Sequence, residues 1–331
     1  MQQGILERLQ QGCVLGDGGY LLELEKRGHV QAGPFTPEVC IENPEALRQL
    51  HLEFLKAGAE VLQVLTFYAS ADKLATVGLQ DKVDEINRSA VRIAKQAAAG
   101  SSALIAGNLS LTWVYDPKDP ASADRVRRAV DQQLRVQMEE GVDFLIGETY
   151  AWLGEALLAL ERAKQTGLPV MITMSFDNKP LAYEGHDPAE CARRLVDAGA
   201  DIVGINCLRN PEHTLPLMAQ IRAAVSGPIA CQPAAYATPA DQPDFTSLEA
   251  FPHDLEPLQL SRSAMGEYAR QAQAMGIQFI GSCCGSVASH VREMARALGK
   301  RPESERSWRI DYDQPMSAYE YYKHGAAEPA P

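Results

Sequence analysis

Two cysteines stand side by side near the end of the sequence, in Ile-Gly-Ser-Cys-Cys-Gly-Ser at 280–286, and a third closes the apolar run Asp-Ile-Val-Gly-Ile-Asn-Cys at 201–207. Thiolates are soft ligands, and zinc in catalytic sites takes three protein ligands and leaves a fourth position open. Cys207, Cys283 and Cys284 would make such a set. Two other readings compete. Cysteines serve as small buried hydrophobes, and a neighbouring pair can form a vicinal disulfide. The chain has seven cysteines in all. An odd number without a secretory leader speaks against a disulfide framework and for a reducing, cytoplasmic setting.

Carboxylates supply the complementary chemistry. Asp17 follows the apolar run Cys-Val-Leu-Gly and precedes Gly18 and Gly19, which would let the backbone approach a ligand closely and offer N–H groups to an anion. Glu148 ends Phe-Leu-Ile-Gly-Glu, and a carboxylate there is costly unless it has a partner. The competing readings are a simple turn at Asp17 and a helix-capping role for Glu148. Together the two could clamp an ammonium group. The aromatic residues Phe35, Phe67, Tyr68, Tyr150 and Trp152 could face a cationic ligand.

These residues need a scaffold that brings distant strand ends to one place. Eight short apolar runs recur, at 13–18, 61–67, 103–110, 142–149, 169–176, 201–207, 228–235 and 277–284. Most are continuous rather than alternating, as in strands buried on both faces of a parallel sheet. Helical stretches separate them. Asn43-Pro44 and Asp187-Pro188 supply N-caps, with Glu190 placed for a capping box, and glycines such as Gly58, Gly199 and Gly276 close helices before the next strand. This is the rhythm of a (β/α)8 barrel in a single domain over 1–310, with a C-terminal extension at 311–331 whose end is expected to be disordered. A doubly wound sheet is the competitor, but no glycine-rich nucleotide turn supports it. Chemistry in such a barrel belongs at the C-terminal ends of the strands. A proline-rich stretch at 231–262 interrupts the rhythm after the seventh strand and has the length of a functional loop.

The charge of −12 argues against nucleic acid and anionic membranes as partners. No run of about 18 apolar residues is present to span a bilayer.

The segments Gly-Asp-Gly-Gly-Tyr at 16–20, Leu-Thr-Phe-Tyr-Ala-Ser-Ala-Asp-Lys-Leu at 65–74, Gly-Ile-Asn-Cys at 204–207, Cys-Gln-Pro-Ala-Ala-Tyr at 231–236 and Ile-Gly-Ser-Cys-Cys-Gly at 280–285 together resemble the betaine–homocysteine methyltransferases. More broadly, they resemble the zinc-dependent homocysteine S-methyltransferases. The similarity runs through about 10–300. It implies a (β/α)8 barrel holding Zn2+ on Cys207, Cys283 and Cys284, with Asn206 beside them. It also implies that Asp17 and Glu148 bind the homocysteine ammonium, that Gly18 and Gly19 bind its carboxylate, and that Tyr68 lines the methyl-donor site. The implied reaction moves a methyl group from a small onium donor (betaine, a dimethylsulfonium compound or S-methylmethionine) to homocysteine, giving methionine. Phe35 replaces the tryptophan of the betaine enzymes and Thr149 replaces their tyrosine, which thins an aromatic cage and points toward the branch using S-methylmethionine or methylfolate. The long C-terminal arm of the betaine enzymes is expected to be missing, so no oligomeric state is carried over. Two alternatives stand beside this reading: a methyl-acceptor module fed by a separate corrinoid or methylfolate protein, and a non-catalytic metal- or thiol-sensing barrel.

Overall fold

A computed structural model describes residues 3–301. Eight parallel strands form one sheet: β1 (Val14–Leu15), β2 (Val61–Gln63), β3 (Leu104–Ser110), β4 (Phe144–Tyr150), β5 (Val170–Met174), β6 (Ile202–Asn206), β7 (Ile229–Gln232) and β8 (Phe279–Ile280). Their order, β1-β8-β7-β6-β5-β4-β3-β2, is that of a (β/α)8 barrel, as the eight apolar runs require. The β1–β2 seam is closed differently from the other edges. The Glu60 N–H donates to the Leu15 carbonyl at 2.9 Å, and side chains complete the junction. The Glu60 carboxylate accepts from the Leu15 N–H, and the Asp17 carboxylate accepts from the Gln63 N–H.

Two apolar layers hold the barrel. The interior layer takes Val14, Val61, Leu104, Phe144, Met171, Ile202 and Phe279 from the early positions of their strands. Ile5 and Leu9 of the helix Ile5–Gln11 pack among them and fill the N-terminal end of the barrel. The outer layer lies between the strands and the surrounding helices, whose amphipathic sequences bury one stripe each, as Ile86, Ala90, Ile93 and Ala97 do in Val83–Ala98. Asn43 and Asp187 cap their helices as expected, accepting from Ala46 and Glu190. The reciprocal half of the expected capping box is absent, because Glu190 instead pairs with Arg193 at 2.9 Å.

The stretch after β7 is ordered by backbone pairing. Tyr236 bridges to Gln259, Ala237 donates to Leu258, and Leu260 donates to Ala235. Its Phe245, Phe251, Leu255 and Tyr236 join Leu22, Phe35 and Cys207 in a third apolar cluster over the C-terminal rim. The described barrel ends with the helix Ala288–Ala297; the boundary expected at 310 and the tail at 311–331 lie outside the described residues. Among the described residues, no helix is long and apolar enough to cross a membrane.

Candidate active site

The C-terminal rim holds a cavity that opens to solvent. Asp17, Gly18, Gly19, Phe67, Glu148, Thr149, Cys207, Cys283 and Cys284 line it, together with Tyr20, Gln63, Gln232 and Ser282. Nine of the residues singled out from sequence therefore meet in one space, drawn from the end of β4 and from the loops after β1, β2, β6 and β8.

The cysteines are set by backbone pairing beyond the strands proper. Cys207 follows β6 and donates its N–H to the Gln232 carbonyl at 2.8 Å. Cys283 donates to Pro233 at 2.9 Å, and the Cys284 carbonyl accepts from Ala235 at 2.8 Å. The end of β7 and the loop after it thus fix all three backbones. The three Sγ atoms lie within 4.8 Å of one another, and Cys207 Sγ is 3.5 Å from Cys284 Sγ. Sulfurs at about 2.3 Å from a tetrahedral zinc stand about 3.8 Å apart, so this donor set fits such an ion. No fourth Cys, His, Asp or Glu joins the group among the described residues. The Cys207 thiolate is favoured because Cys283 and Cys284 donate to it, and the same contacts hold Cys283 and Cys284 as thiols.

Gly19 is dictated by this packing. A Cβ there would lie 2.7 Å from the Cys283 carbonyl oxygen and 3.2 Å from Cys284 Cα. Its N–H donates to the Ser286 carbonyl at 3.2 Å. A Cβ on Gly18 would meet the Phe54 ring at 2.5 Å.

The two carboxylates are linked through Gln63. Its backbone N–H donates to Asp17 at 2.7 Å and its side-chain amide donates to Glu148 at 2.6 Å. Asn108 and Asn206 also donate to Glu148, at 2.8 and 3.0 Å. Asp17 accepts from the Tyr20 hydroxyl at 2.5 Å, and His51 Nδ1 meets that hydroxyl at 2.9 Å. Despite these donors, burial pushes the Asp17 carboxyl up to about 7 and the Glu148 carboxyl up to about 8. Burial likewise holds His51 neutral, down to about 3. The cavity wall thus carries two buried acids and no lysine or arginine.

The remaining predicted residues divide. Asn206 lies behind the wall, donating to Glu148 and Thr149 and accepting from the Thr149 N–H, so it orients residues of the cavity. Phe35 packs 6.0 Å from Phe251 in the cluster over the rim. Tyr68 does not line the cavity; its ring lies 4.2 Å from that of Phe67, which does, and its hydroxyl accepts from Trp113 Nε1 at 3.0 Å. Two further aromatic residues are directed elsewhere. Tyr150 is wholly buried in the outer apolar layer, and Trp152 stacks edge-on with Tyr115 and Tyr183. Both follow Thr149, whose left-handed backbone redirects the chain.

That backbone geometry recurs around the rim. Six non-glycine residues among those described have positive φ, and five are Phe35 (50°), Tyr68 (60°), Trp113 (65°), Thr149 (64°) and Cys207 (57°). Each costs on the order of 1 kcal/mol, and such strain collects at functional sites.

The sequence model of the homocysteine S-methyltransferase family matches residues 14–298. The chain belongs to this family. Within it, the chain is 42% identical over 325 residues to betaine–homocysteine S-methyltransferase 1 of Mus musculus, a match covering 93% of this chain and 79% of that protein. It is 40% identical over 326 residues to S-methylmethionine–homocysteine S-methyltransferase BHMT2 of Pongo abelii, covering 93% and 86%. The metallated form of the homocysteine methyltransferase MmuM from Escherichia coli shares the fold, with a TM-score of 0.69 at 20% identity, over 87% of this chain and 96% of that one. The homocysteine S-methyltransferase match begins at β1 and ends in the last barrel helix, so it includes every residue of the cavity wall.

Sequence reasoning missed Tyr20, Gln63 and Ser282 as wall residues. Gln63 had a signal: a lone amide inside Val-Leu-Gln-Val-Leu. The expected strand ran to Phe67, whereas the paired strand ends at Gln63, and Thr66, Phe67 and Tyr68 belong to the turn beyond it.

Proposed function

We propose that this chain transfers a methyl group from a small onium donor to the sulfur of homocysteine, using Zn2+ held by Cys207, Cys283 and Cys284. The observation that carries this reading is the placement of three sulfurs and two buried carboxylates on one cavity wall. A zinc ion there, when bound, keeps the homocysteine sulfur in its ionised, nucleophilic form at neutral pH.

The chain's own residues do the rest. Asp17 and Glu148 receive the substrate ammonium, and its positive charge repays the burial of both acids. Gly18 and Gly19 let this stretch of wall pack directly against Phe54 and the Cys283–Cys284 backbone, which brings the amino-acid end of the substrate close to the cysteines. Gln63, Asn108, Asn206 and Tyr20 hold the carboxylates in place, so the substrate chain points toward the cysteines. Phe67, Tyr68 and Thr149 border the donor. In the transfer, the homocysteine sulfur attacks the methyl carbon, an S–C bond forms, and the C–N or C–S bond of the onium breaks. The leaving group departs as a neutral amine or thioether, so no general acid is needed. The thiol proton passes to solvent. Alignment of two bound substrates supplies much of the rate.

The test is methionine formation from homocysteine by the purified, zinc-supplied protein with betaine, a dimethylsulfonium compound and S-methylmethionine in turn. Turnover with at least one donor, lost in Cys284→Ala together with bound zinc, is the expected result. No turnover without an added corrinoid or methylfolate protein would support the acceptor-module alternative instead.

A further inference from the structure

Lys73 occupies an unusual position. It lies on the short helix Ala71–Leu74 that follows the turn after β2. Its ammonium stands 4.1 Å from the centre of the Tyr68 ring and 5.7 Å from that of Trp113. The two rings are tied to each other by the Trp113 Nε1 bond to the Tyr68 hydroxyl, and both residues hold left-handed backbone conformations. The Tyr68 ring lies 4.2 Å from that of Phe67, which lines the cavity together with the three cysteines. Lys73 is half-buried, and among the described residues no carboxylate pairs with it, in a chain of net charge −12. Most other cations near acidic partners on this surface are paired, as Arg27, Arg88, Arg127 and Arg135 are. A half-buried ammonium held on aromatic faces without an acid is a site for an anionic group.

We propose that Lys73 is a specificity-determining residue for the methyl donor, receiving the carboxylate of a zwitterionic onium compound and discriminating against onium compounds that carry no acid. This rests on the methyl-transfer reading above and narrows its donor class. An onium whose methyl group is directed at the cysteines lies against Phe67 on the cavity wall, next to the Tyr68 ring and its resident cation. A donor that is cationic only meets like charge there. A donor with a carboxylate on a short chain brings its own counter-charge, which pairs with the Lys73 ammonium while the onium stays on the Phe67 side. The same lysine therefore attracts one class and repels the other.

The experiment compares betaine with betaine methyl ester, which keeps the onium and loses the acid, in the zinc-loaded full chain with saturating homocysteine. The readout is the acid-to-ester ratio of kcat/KM for wild type, Lys73→Arg, Lys73→Met and Lys73→Glu, with folding checked by circular dichroism. If betaine itself is not turned over, S-methylmethionine and its methyl ester take its place. The ratio is expected to stay within about threefold of wild type in Lys73→Arg, to fall about tenfold or more in Lys73→Met, and to fall further in Lys73→Glu as the ester gains. The KM for homocysteine should stay within about twofold throughout. A ratio that does not change in Lys73→Met and Lys73→Glu overturns the proposal, as does a parallel loss with acid, ester and homocysteine, the mark of a packing role. Either result leaves wild-type methionine formation standing. A wild-type protein that turns over no carboxylate-bearing onium overturns both this inference and the reading it rests on.

Discussion

Methionine has the ammonium group of homocysteine but no ionisable sulfur, so its binding isolates the buried carboxylate pair. Burial places Asp17 at about 7 and Glu148 at about 8. At pH 7, a group one unit below its pKa holds about 0.9 of a proton and one at its pKa holds about 0.5. The pair therefore holds more than one proton, shared between two acids that feel each other's charge, so the sum is what can be measured. An ammonium arriving between them favours both ionised forms and expels those protons. Calorimetric titration of methionine in two buffers of different ionisation enthalpy at pH 7 should show release of about one proton, falling to about 0.3 at pH 8.5. Affinity should rise with pH between 6 and 8 for the same reason. Glu148→Gln should leave about half a proton or less at pH 7. The free protein provides the sign check. Both folded pKa values lie above the ordinary 3.8 and 4.5, so the folded state binds more protons, and this pair's contribution to stability is lost as pH climbs from about 4 to about 8. Proton release near zero at pH 7, or release that grows with pH, would refute the assignment of these carboxylates to the ammonium.

Two further outcomes test the walls of the cavity. Gly19→Ala forces a methyl group against the Cys283 carbonyl and Cys284 Cα, an overpacking of about 1–3 kcal/mol. It should surrender zinc to a competing chelator at a lower concentration than wild type, whereas Gly12→Ala, with nothing within 4 Å of its new Cβ, should not; equal behaviour of the two would count against the packing argument. Tyr20→Phe leaves Asp17 and His51 each short of a partner, a cost of about 2 kcal/mol seen as a lower Tm. Its KM for homocysteine should rise about tenfold with the donor KM unchanged, and a change confined to the donor would contradict the placement of Asp17.

Much of this site is legible in sequence because a barrel strand announces its own end. An unbroken apolar run that stops at a polar residue marks the rim end of a strand: Ile-Val-Gly-Ile stops at Asn206, the last residue of β6, and Phe-Leu-Ile-Gly stops at Glu148, two residues before the end of β4. Asp17 and the cysteines stand one to four residues past the paired strands, in the same relation to them. Gln63 is harder to read because apolar residues continue after it; Val64 and Leu65 bury their side chains in the outer layer although the strand pairing is over. Tyr150 and Trp152 were beyond the reach of periodicity, since a single left-handed residue at Thr149 reverses which way the following side chains point. The contact of Lys73 with Tyr68 and Trp113 joins two separate loops, and no local pattern encodes that meeting.

The junction between β1 and β2 gives Asp17 a double employment. The oxygen that accepts the Gln63 N–H helps shut the cylinder, and the same carboxylate faces the cavity. A mutation that altered substrate preference through Asp17 would also loosen the architecture, so drift at this position is penalised twice over. Glu148 has no such structural tie to the backbone, its partners being the side chains of Gln63, Asn108 and Asn206. If this scaffold were to diverge toward another amino acid, the Glu148 side of the clamp is where change is cheapest, and the Asp17 side is where ancestry should persist.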